Sequence, residues 1–224
     1  MAVIKKEDSG REGFPGLFVV LEGMDGSGKT TLWNGLKTSK RLGTDNVRFL
    51  REPTDLPTGR RIRACLSGEM SPPDTEEGWL RLFLDDRQSN VETNILPALR
   101  NGEIVIQDRY IYSTAAYQAR DPETARKILH RQSMFPTPDL ILFLDIQPKD
   151  ALERIAARSE GHEFFETQDR LNRIAQNYSA IMQNRGNATA LDARWTVERL
   201  LAAAEEAIRS LARRNLEADK TLNS

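Results

Sequence analysis

The chain has 224 residues and a formal net charge of −1, with 39% hydrophobic and 29% charged residues. This length suits one domain with a sizeable core, and the balanced charge does not favour a nucleic-acid-binding protein. The single cysteine, Cys65, excludes an intrachain disulfide. No apolar run approaches the roughly 18–20 residues of a transmembrane helix. We therefore expect a cytoplasmic protein without a membrane segment or a nucleic-acid partner.

Short apolar segments alternate with longer amphipathic ones along the chain. Strands are predicted at residues 17–22, 46–51, 103–107, 139–145 and 188–191. Helices are predicted at residues 29–42, 59–67, 75–99, 123–131, 148–158, 167–184 and 196–213. Strands that are apolar on both faces and alternate with helices predict an α/β fold of three layers, with a five-stranded parallel sheet flanked by helices.

The two ends of the chain differ from the rest in composition. Residues 1–13 are polar and charged, and predict a flexible N-terminal tail. Residues 214–224 are polar and are interpreted as a flexible C-terminal tail. No shift in composition divides the chain between them, so residues 14–213 are interpreted as a single domain.

The first predicted strand runs into a glycine-rich segment that is followed by a predicted helix. The segment, Gly23-Met24-Asp25-Gly26-Ser27-Gly28-Lys29-Thr30, matches the phosphate-binding P-loop pattern G-x-x-x-x-G-K-[ST] in its required strand–loop–helix context. Inward-facing backbone N–H groups and the positive end of the helix bind phosphate. Lys29 would reach the β and γ phosphates and Thr30 would ligate Mg²⁺. The predicted ATP-binding residues are Gly23, Asp25, Gly26, Ser27, Gly28, Lys29, Thr30 and Thr31.

Three charged residues, one within the loop and two at the end of another predicted strand, extend this site. Asp25 lies within the loop, where a carboxylate is unfavourable beside phosphates, so a sugar hydroxyl is a sensible partner. Asp108 and Arg109 follow another buried strand, and ligands of open α/β sheets bind at the carboxyl ends of the strands. Asp108 would hold Mg²⁺ directly or through water. Arg109 would clamp a phosphate with its planar donors.

Together these segments resemble the thymidylate kinase family, in particular the branch with a short lid. The resemblance extends along nearly the whole chain. Its segments are LEGMDGSGKTT at 21–31, REPTD at 51–55, GRRIR at 59–63, LFLDDR at 82–87, ILPALRNGEIVIQDRYIYSTAAYQ at 95–118, PDLILFLDIQP at 138–148, FE at 165–166 and LDA at 191–193. It implies a P-loop NTPase fold, a homodimer, and transfer of the ATP γ-phosphate to dTMP.

The resemblance also implies how dTMP is bound. Asp25 would accept a hydrogen bond from its 3′-hydroxyl, and Arg51 would bind its phosphate. Phe83 and Arg87 are four residues apart in a helical segment and therefore share a face. Phe83 would stack on thymine, and Arg87 would donate to a thymine carbonyl. Arg109 would approach the phosphates at the point of transfer.

Further family positions would surround the nucleoside. Thr114, Tyr117 and Gln118 match residues that contact the base and the deoxyribose, and Tyr117 would crowd the 2′ position so that ribose is rejected. Glu166 matches the acidic residue of a Phe-Glu pair, which would face the nucleoside.

The lid and the adenine loop are also implied by the family. The lid would span about residues 153–168. The P-loop has no arginine, so Arg154 and Arg158 on the lid would supply the stabilising cations, and their spacing of four places them on one helix face. Arg194, which follows the last strand, would lie over adenine.

Two segments depart from the family pattern. A glycine usually follows REP or REPTD, but here the run is Asp55-Leu56-Pro57, which affects the loop near the dTMP phosphate. Many members have Asp-Arg before Phe-Glu, where this chain has the run 161–164, Gly-His-Glu-Phe.

Other functions fit parts of this pattern. A kinase for another deoxynucleotide would keep the same chemistry, and a deoxynucleoside kinase would need a carboxylate base at the 5′-hydroxyl, for which Glu52 is a candidate. A GTPase-like switch or a non-catalytic nucleotide-binding module is a third alternative. The sequence does not contain the Asn-Lys-x-Asp signature of guanine binding, which would support this alternative.

Overall fold

The structure, a computed structural model, describes residues 14–42, 46–157 and 164–222, without the side chains of 164–167, 216 and 218–222. The predicted N-terminal tail at 1–13 and Arg158 lie outside these residues, as does part of the predicted lid. No helix in these ranges is both long and apolar enough to cross a membrane.

The described residues form a five-stranded parallel sheet. Its strands are β1 (Leu17–Glu22), β2 (Val47–Arg51), β3 (Ile104–Asp108), β4 (Leu140–Asp145) and β5 (Ala188–Asp192). Their order across the sheet is β2-β3-β1-β4-β5. All six residues of the central strand β1 are buried, whereas the edge strands β2 and β5 are only partly buried. The predicted fold class is confirmed.

Helices cover the sheet and connect its strands. They are α1 (Lys29–Thr38), α2 (Pro57–Ser67), α3 (Glu76–Asn90), α4 (Leu96–Arg100), α5 (Ile111–Gln118), α6 (Pro122–His130), α7 (Pro148–Ala156), α8 (Phe164–Met182) and α9 (Val197–Leu222). Helices α1 and α9 pack together, and α5, α6 and α8 form a second packed group. Parallel strands need such crossover helices, which bury the apolar faces of the sheet.

Helix α5 was missed by the sequence analysis. Its first six residues, 111–116, are all buried, so it shows no alternation of apolar and polar faces that would predict a helix. Its N-cap residue, Tyr110, makes no side-chain capping bond. The N-terminus of this helix is instead capped by a side chain from another element, as described below.

Two other helices differ from prediction in extent. The helix predicted at 75–99 is interrupted by a π-helical turn, Val91–Ile95. Pro97 follows this turn, and its ring would clash with the carbonyl four residues earlier in a regular helix. The helix predicted to end at residue 213 continues to Leu222, because residues 214–222 contain neither Gly nor Pro. Flexibility of this end stays a prediction.

The loop after β2 has a tight and well-bonded shape despite its departure from the family pattern. Asp86 is 1% exposed and accepts hydrogen bonds from the Thr54 N–H at 2.9 Å and the Thr58 hydroxyl at 2.9 Å. Pro57 begins α2 at a position where proline is favourable. A Cβ at Gly59 would lie 2.1 Å from the Thr54 carbonyl oxygen. The loop and helix α2 therefore approach each other closely because Gly59 on the helix has no side chain, and this approach does not use a glycine in the loop.

We expect Gly59→Ala to lower the free energy of unfolding by about 2–3 kcal/mol, because the new methyl group would overlap backbone atoms that have no free space to move into. Urea denaturation followed by circular dichroism measures this change. Gly35→Ala is the matched control, since its Cβ would meet only Leu201 side-chain atoms at 3.4 Å or more. Equal stability of the two variants would contradict the close approach at Gly59.

Candidate active site

The glycine-rich loop lies between the central strand β1 and helix α1, at the carboxyl edge of the sheet. Gly28 is the N-cap of α1 and Lys29 is its first residue, so the helix begins within the phosphate-binding pattern. Gly26 has φ of +80°, and a Cβ there would lie 2.5 Å from the Ala151 carbonyl oxygen. The loop is thus packed against α7, which leaves room only for glycine.

Lys29 lies inside this loop. Its Nζ donates to the Gly23 and Met24 carbonyl oxygens at 2.7 and 2.9 Å, and the residue is 5% exposed. Burial, together with the nearby Arg109 guanidinium, lowers the pKa of Lys29 from 10.5 to about 8. An anion bound in the loop would favour the charged form and raise this pKa.

A cavity of about 230 Å³, the loop cavity, lies in front of the glycine-rich loop. Its lining residues come from the loop, from the end of β3 and from α7: Asp25, Gly26, Gly28, Lys29, Thr30, Thr31, Asp108, Arg109 and Ile155. The structure therefore brings together the charged residues that the sequence placed at two separate strand ends. The register explains this, because Leu21 in β1 and Arg51 in β2 both pair with Asp108.

Arg109 adopts an unusual backbone conformation at the end of β3. Its φ is +66°, a left-handed conformation that costs a non-glycine residue about 1–2 kcal/mol. Its backbone N–H donates to the Leu21 carbonyl oxygen at 3.1 Å. Its guanidinium donates to Asp25 and lies over the Tyr117 ring, 5.1 Å from the ring centroid. The strained backbone therefore directs the guanidinium across the mouth of the loop.

Asp25 is the carboxylate partner of Arg109. Burial acts to raise its pKa, but the charges of Arg109 and Lys29 outweigh this effect and hold the pKa below its ordinary value. Asp25 is therefore ionised at neutral pH and can only accept hydrogen bonds through its carboxylate. Its backbone N–H donates to the Tyr117 hydroxyl at 2.8 Å.

The residues present fit a magnesium ion. Asp108 is 8% exposed, and its Oδ1 has no hydrogen-bond partner among the described residues. The exposed Thr30 lines the same cavity. Within the described ranges, no three His, Cys, Asp or Glu side chains cluster as a preformed metal site. Mg²⁺ commonly takes few protein oxygens and completes its shell with phosphate and water, which agrees with this sparse set.

A second cavity of about 290 Å³, the aromatic cavity, adjoins the loop cavity. It is lined by Asp25, Glu52, Pro53, Leu66, Phe83, Arg87, Arg109, Tyr110, Ser113, Thr114, Tyr117, Gln118 and Arg170. Phe83 is half-buried and stacks on Trp79 at a centroid distance of 6.2 Å. An apolar cavity with a few convergent polar groups is typical of a small-molecule site. Asp25 and Arg109 line both cavities and mark where they meet.

Arg87 is held at the base of the aromatic cavity by a buried polar network. It is 1% exposed and donates to Glu52 at 2.5 Å, to Thr114 at 3.0 Å and to Gln132. Burial raises the pKa of Glu52, although the Arg87 charge opposes this. The other Glu52 oxygen accepts from Asn90 at 3.1 Å. No pattern in the sequence indicates Gln132, which contacts Arg87 only because the fold brings the two residues together.

A third cavity of about 340 Å³, the indole cavity, lies at the other side of the glycine-rich loop. It is lined by Ser27, Gly28, Thr31, Leu32, Arg154, Ala157, Ala193, Trp195, Val197 and Leu200. Arg154 crosses it and donates to the Gly26 carbonyl at 3.4 Å and to the Ala193 carbonyl at 2.8 Å. Trp195 was not identified from the sequence, since one tryptophan in a loop carries no pattern.

Three predicted site residues within the described ranges, Gly23, Arg51 and Arg194, line none of these cavities. The Arg51 guanidinium lies 4.5 Å from the Trp33 ring centroid. Phe49 contacts the same ring at 5.7 Å, because residues two apart in a strand share a face. Arg51 thus points to the α1 side of the sheet. Arg194 is exposed and donates to Asp192 at 2.9 Å.

Two further predicted residues belong to the lid segment. Glu166 lies on α8, and its side chain is outside the described residues, as is the whole of Arg158. The predicted roles of these residues stay predictions.

Several known proteins are similar to this chain in sequence. A sequence profile of the family described as thymidylate kinase matches residues 21–204. The chain is 44% identical to a thymidylate kinase of Leptospira interrogans over 170 residues, which are 74% of this chain and 81% of the relative. It is 39% identical to a thymidylate kinase of Xanthomonas euvesicatoria over 167 residues, which are 74% of this chain and 72% of the relative.

We expect the depressed pKa of Lys29 to appear in the pH dependence of stability. Between the folded value of about 8 and the ordinary value of 10.5, the unfolded chain binds more protons, so the free energy of unfolding rises with pH. Relative to Lys29→Met, the wild-type protein should gain about 2 kcal/mol between about pH 7 and about pH 9.5.

Urea unfolding of both proteins at the two pH values measures this difference. Lys37→Met is the control, because Lys37 is exposed on the same helix. If the difference in unfolding free energy between the wild-type protein and Lys29→Met does not change with pH, the burial of the Lys29 ammonium is contradicted.

Proposed function

This chain belongs to the thymidylate kinase family, and we propose how its cavities divide between the two substrates of that reaction. It is an enzyme, a phosphotransferase that phosphorylates dTMP. Our proposal is that the aromatic cavity takes dTMP, the loop cavity takes the ATP phosphates, and the indole cavity takes adenosine. One observation carries this division: Asp25 and Arg109 line both the aromatic and the loop cavity.

In the aromatic cavity, Phe83 would stack on thymine and Arg87 would donate to a thymine carbonyl. The Glu52 carboxylate balances the Arg87 charge, and Thr114 and Gln132 hold its orientation. Stacking of a base on an aromatic ring contributes about 1–3 kcal/mol. The buried network would reject a base without an acceptor at that position, since a donor facing Arg87 leaves both groups unpaired.

The deoxyribose would lie between Asp25 and helix α5. Burial raises the pKa of Tyr117 to about 12, so the phenol is neutral. Its hydroxyl already accepts from the Asp25 backbone, which fixes the ring next to the Arg109 guanidinium. A fixed ring there supports the prediction that Tyr117 excludes a 2′-hydroxyl, and Gln118 lines the same cavity.

In the loop cavity, Lys29 would contact the β and γ phosphates, and the backbone N–H groups of the loop would surround them. Thr30 and Asp108 are the residues that would hold Mg²⁺, which neutralises charge on the phosphates when bound. Arg154, which is within the described residues, lies beside the loop and would act as the lid cation. Trp195, rather than Arg194, would lie against adenine, because it lines the indole cavity.

Transfer needs no covalent intermediate and no strong general base, because the acceptor is an ionised phosphate. Phosphoryl transfer depends mainly on positioning and on electrostatic stabilisation. Arg109 lies at the junction of the two cavities, where acceptor and γ-phosphate would meet. Arg51, which faces Trp33 in this structure, would have to change rotamer to bind dTMP as predicted.

The alternatives find less support. A deoxynucleoside kinase would use Glu52 as its base, but both Glu52 oxygens already accept from Arg87 and Asn90. A GTPase-like or non-catalytic module would leave the aromatic cavity without a role. A homodimer, a cytoplasmic location and a lid at about 153–168 are family expectations and remain predictions.

The deciding assay is ADP release with ATP and Mg²⁺, in which dTMP, dUMP, dCMP, dGMP and thymidine are offered in parallel. We expect strong preference for dTMP. Preference for another acceptor would overturn the assignment of the aromatic cavity and keep the loop chemistry.

Arg109→Ala should lower kcat by about 10³-fold or more in the same assay, because an arginine at the transferred phosphate accelerates transfer by about this factor.

Trp195→Leu should raise KM for ATP by about tenfold and leave KM for dTMP unchanged, since loss of one stacked base costs about 1–3 kcal/mol. Steady-state kinetics with each substrate varied in turn measure both constants. Trp195→Phe keeps a flat ring and serves as the matched control. An unchanged KM for ATP in Trp195→Leu would place adenine elsewhere.

A further inference from the structure

A buried carboxylate lies directly before the glycine-rich loop. Glu22 is the last residue of the central strand β1 and is 0% exposed. The mechanism above does not use it, since it lines none of the three cavities. A carboxylate in such a place destabilises the fold unless its oxygens are hydrogen-bonded. The groups that bond it therefore indicate why an acid occupies this position.

One oxygen of Glu22 caps helix α5. Oε1 accepts from the backbone N–H groups of Tyr110 at 2.9 Å and Ser113 at 3.2 Å. These are the N-cap and N3 positions of α5, whose own N-cap side chain makes no capping bond. The first N–H groups of a helix need an acceptor, and a negative charge there is favourable. Glu22 supplies the acceptor from a strand that lies 88 residues earlier, although burial raises the pKa of its carboxyl group.

The other oxygen connects α8 and the loop. Oε2 accepts from the Ser113 hydroxyl at 2.6 Å and from the Tyr178 hydroxyl at 2.9 Å. The Tyr178 hydroxyl also lies 3.3 Å from the Gly23 carbonyl oxygen, which accepts from Lys29. One side chain therefore joins the glycine-rich loop, helix α5 and helix α8.

The backbone at Arg109 is bonded to strand β1 at two successive N–H groups. Its own N–H is bonded to Leu21, and the next N–H, that of Tyr110, is bonded to Glu22. Two successive N–H groups are thus fixed to two successive residues of β1. A left-handed backbone at a non-glycine residue persists only where its surroundings hold it. These two bonds hold it here.

We propose that Glu22 is a positioning residue, which sets Arg109 and helix α5 relative to the glycine-rich loop. It acts through the two backbone N–H groups at the start of α5 and through Tyr178, and does not touch substrate. Loss of the carboxylate would release the start of α5, together with Thr114, Tyr117 and Gln118 on that helix. This inference rests on the proposed placement of dTMP in the aromatic cavity.

The test compares the wild-type protein with Glu22→Leu and Glu22→Gln. Leu keeps the approximate volume and removes every acceptor. Gln keeps one carbonyl oxygen, which can still accept from both backbone N–H groups, while its amide faces two hydroxyls that can rotate. We expect Glu22→Leu to lower kcat by at least about 100-fold and to weaken dTMP binding by about tenfold or more, with ATP binding within about threefold. Glu22→Gln should recover most of kcat.

Glu205→Gln is the matched control. Glu205 is also buried, at 4% exposure, and is bonded to Ser39 and Arg41 on the α1–α9 side of the protein. Its loss should lower the unfolding temperature and leave kcat and both dissociation constants unchanged. Isothermal titration of dTMP and ATP, with kinetics well below the unfolding temperature, separates lost positioning from lost stability.

Each outcome decides the question. Wild-type kcat in folded Glu22→Leu, or equal weakening of ATP and dTMP binding, would overturn the positioning role. If Glu22→Leu does not fold, Tyr178→Phe replaces it, since Tyr178 lines none of the three cavities and this change removes a hydroxyl partner of Glu22. A fall in its kcat of about threefold or more supports the proposal, and an unchanged kcat overturns it. Absence of dTMP turnover in the wild-type protein would instead overturn the proposed function.

Discussion

The chemistry of this protein depends on the complete burial of strand β1 in the middle of a parallel sheet. Parallel pairing aligns the carboxyl ends of all strands at one edge, so the residues that follow β1 and β3 meet there. The central position gives the glycine-rich loop strands on both sides, and helix α1 begins directly behind it. A buried apolar strand thereby places a lysine, a threonine and an aspartate around one cavity.

Charge inside this edge is arranged so that few groups are left unpaired. Arg109 is paired with Asp25, and Arg87 with Glu52. The Glu22 carboxylate is bonded to N–H and O–H donors. Isolated buried charges are strongly unfavourable, whereas paired ones hold a defined geometry. Asp108 Oδ1, like Ser27 Oγ and Arg87 Nε, is buried without a hydrogen-bond partner among the described residues, and a carboxylate oxygen in this state suits an atom that faces a cation.

The two proposed substrate regions share residues and differ in character. The loop cavity is bordered by backbone N–H groups and cations, and would bind any triphosphate. The aromatic cavity combines flat rings with a buried arginine held by three protein acceptors or hydroxyls. Under the proposed division, selectivity would reside on the α3 and α5 side, whereas the transfer chemistry would reside on the β1 and β3 side. Arg109 belongs to both.

The sequence by itself determined the five strands and the glycine-rich loop that contains Lys29, because each of these features is encoded within a short segment. It also determined that Asp108 and Arg109 lie at the end of a buried strand. Runs of apolar residues define buried strands, and a local pattern defines the loop. Phe83 and Arg87 were also predictable, since the spacing of four places them on one helix face and a family pattern surrounds them.

Only the tertiary structure decided the remaining features. Helix α5 has no amphipathic pattern and is capped by Glu22, which is remote in sequence. The direction of Arg51 depends on which face of β2 packs on Trp33, and residue type alone does not determine this. The hydrogen bonds of Gln132 to Arg87 and of Tyr178 to Glu22 join residues 45 and 156 positions apart. Such contacts arise when separate elements pack together, so no local pattern in the sequence predicts them.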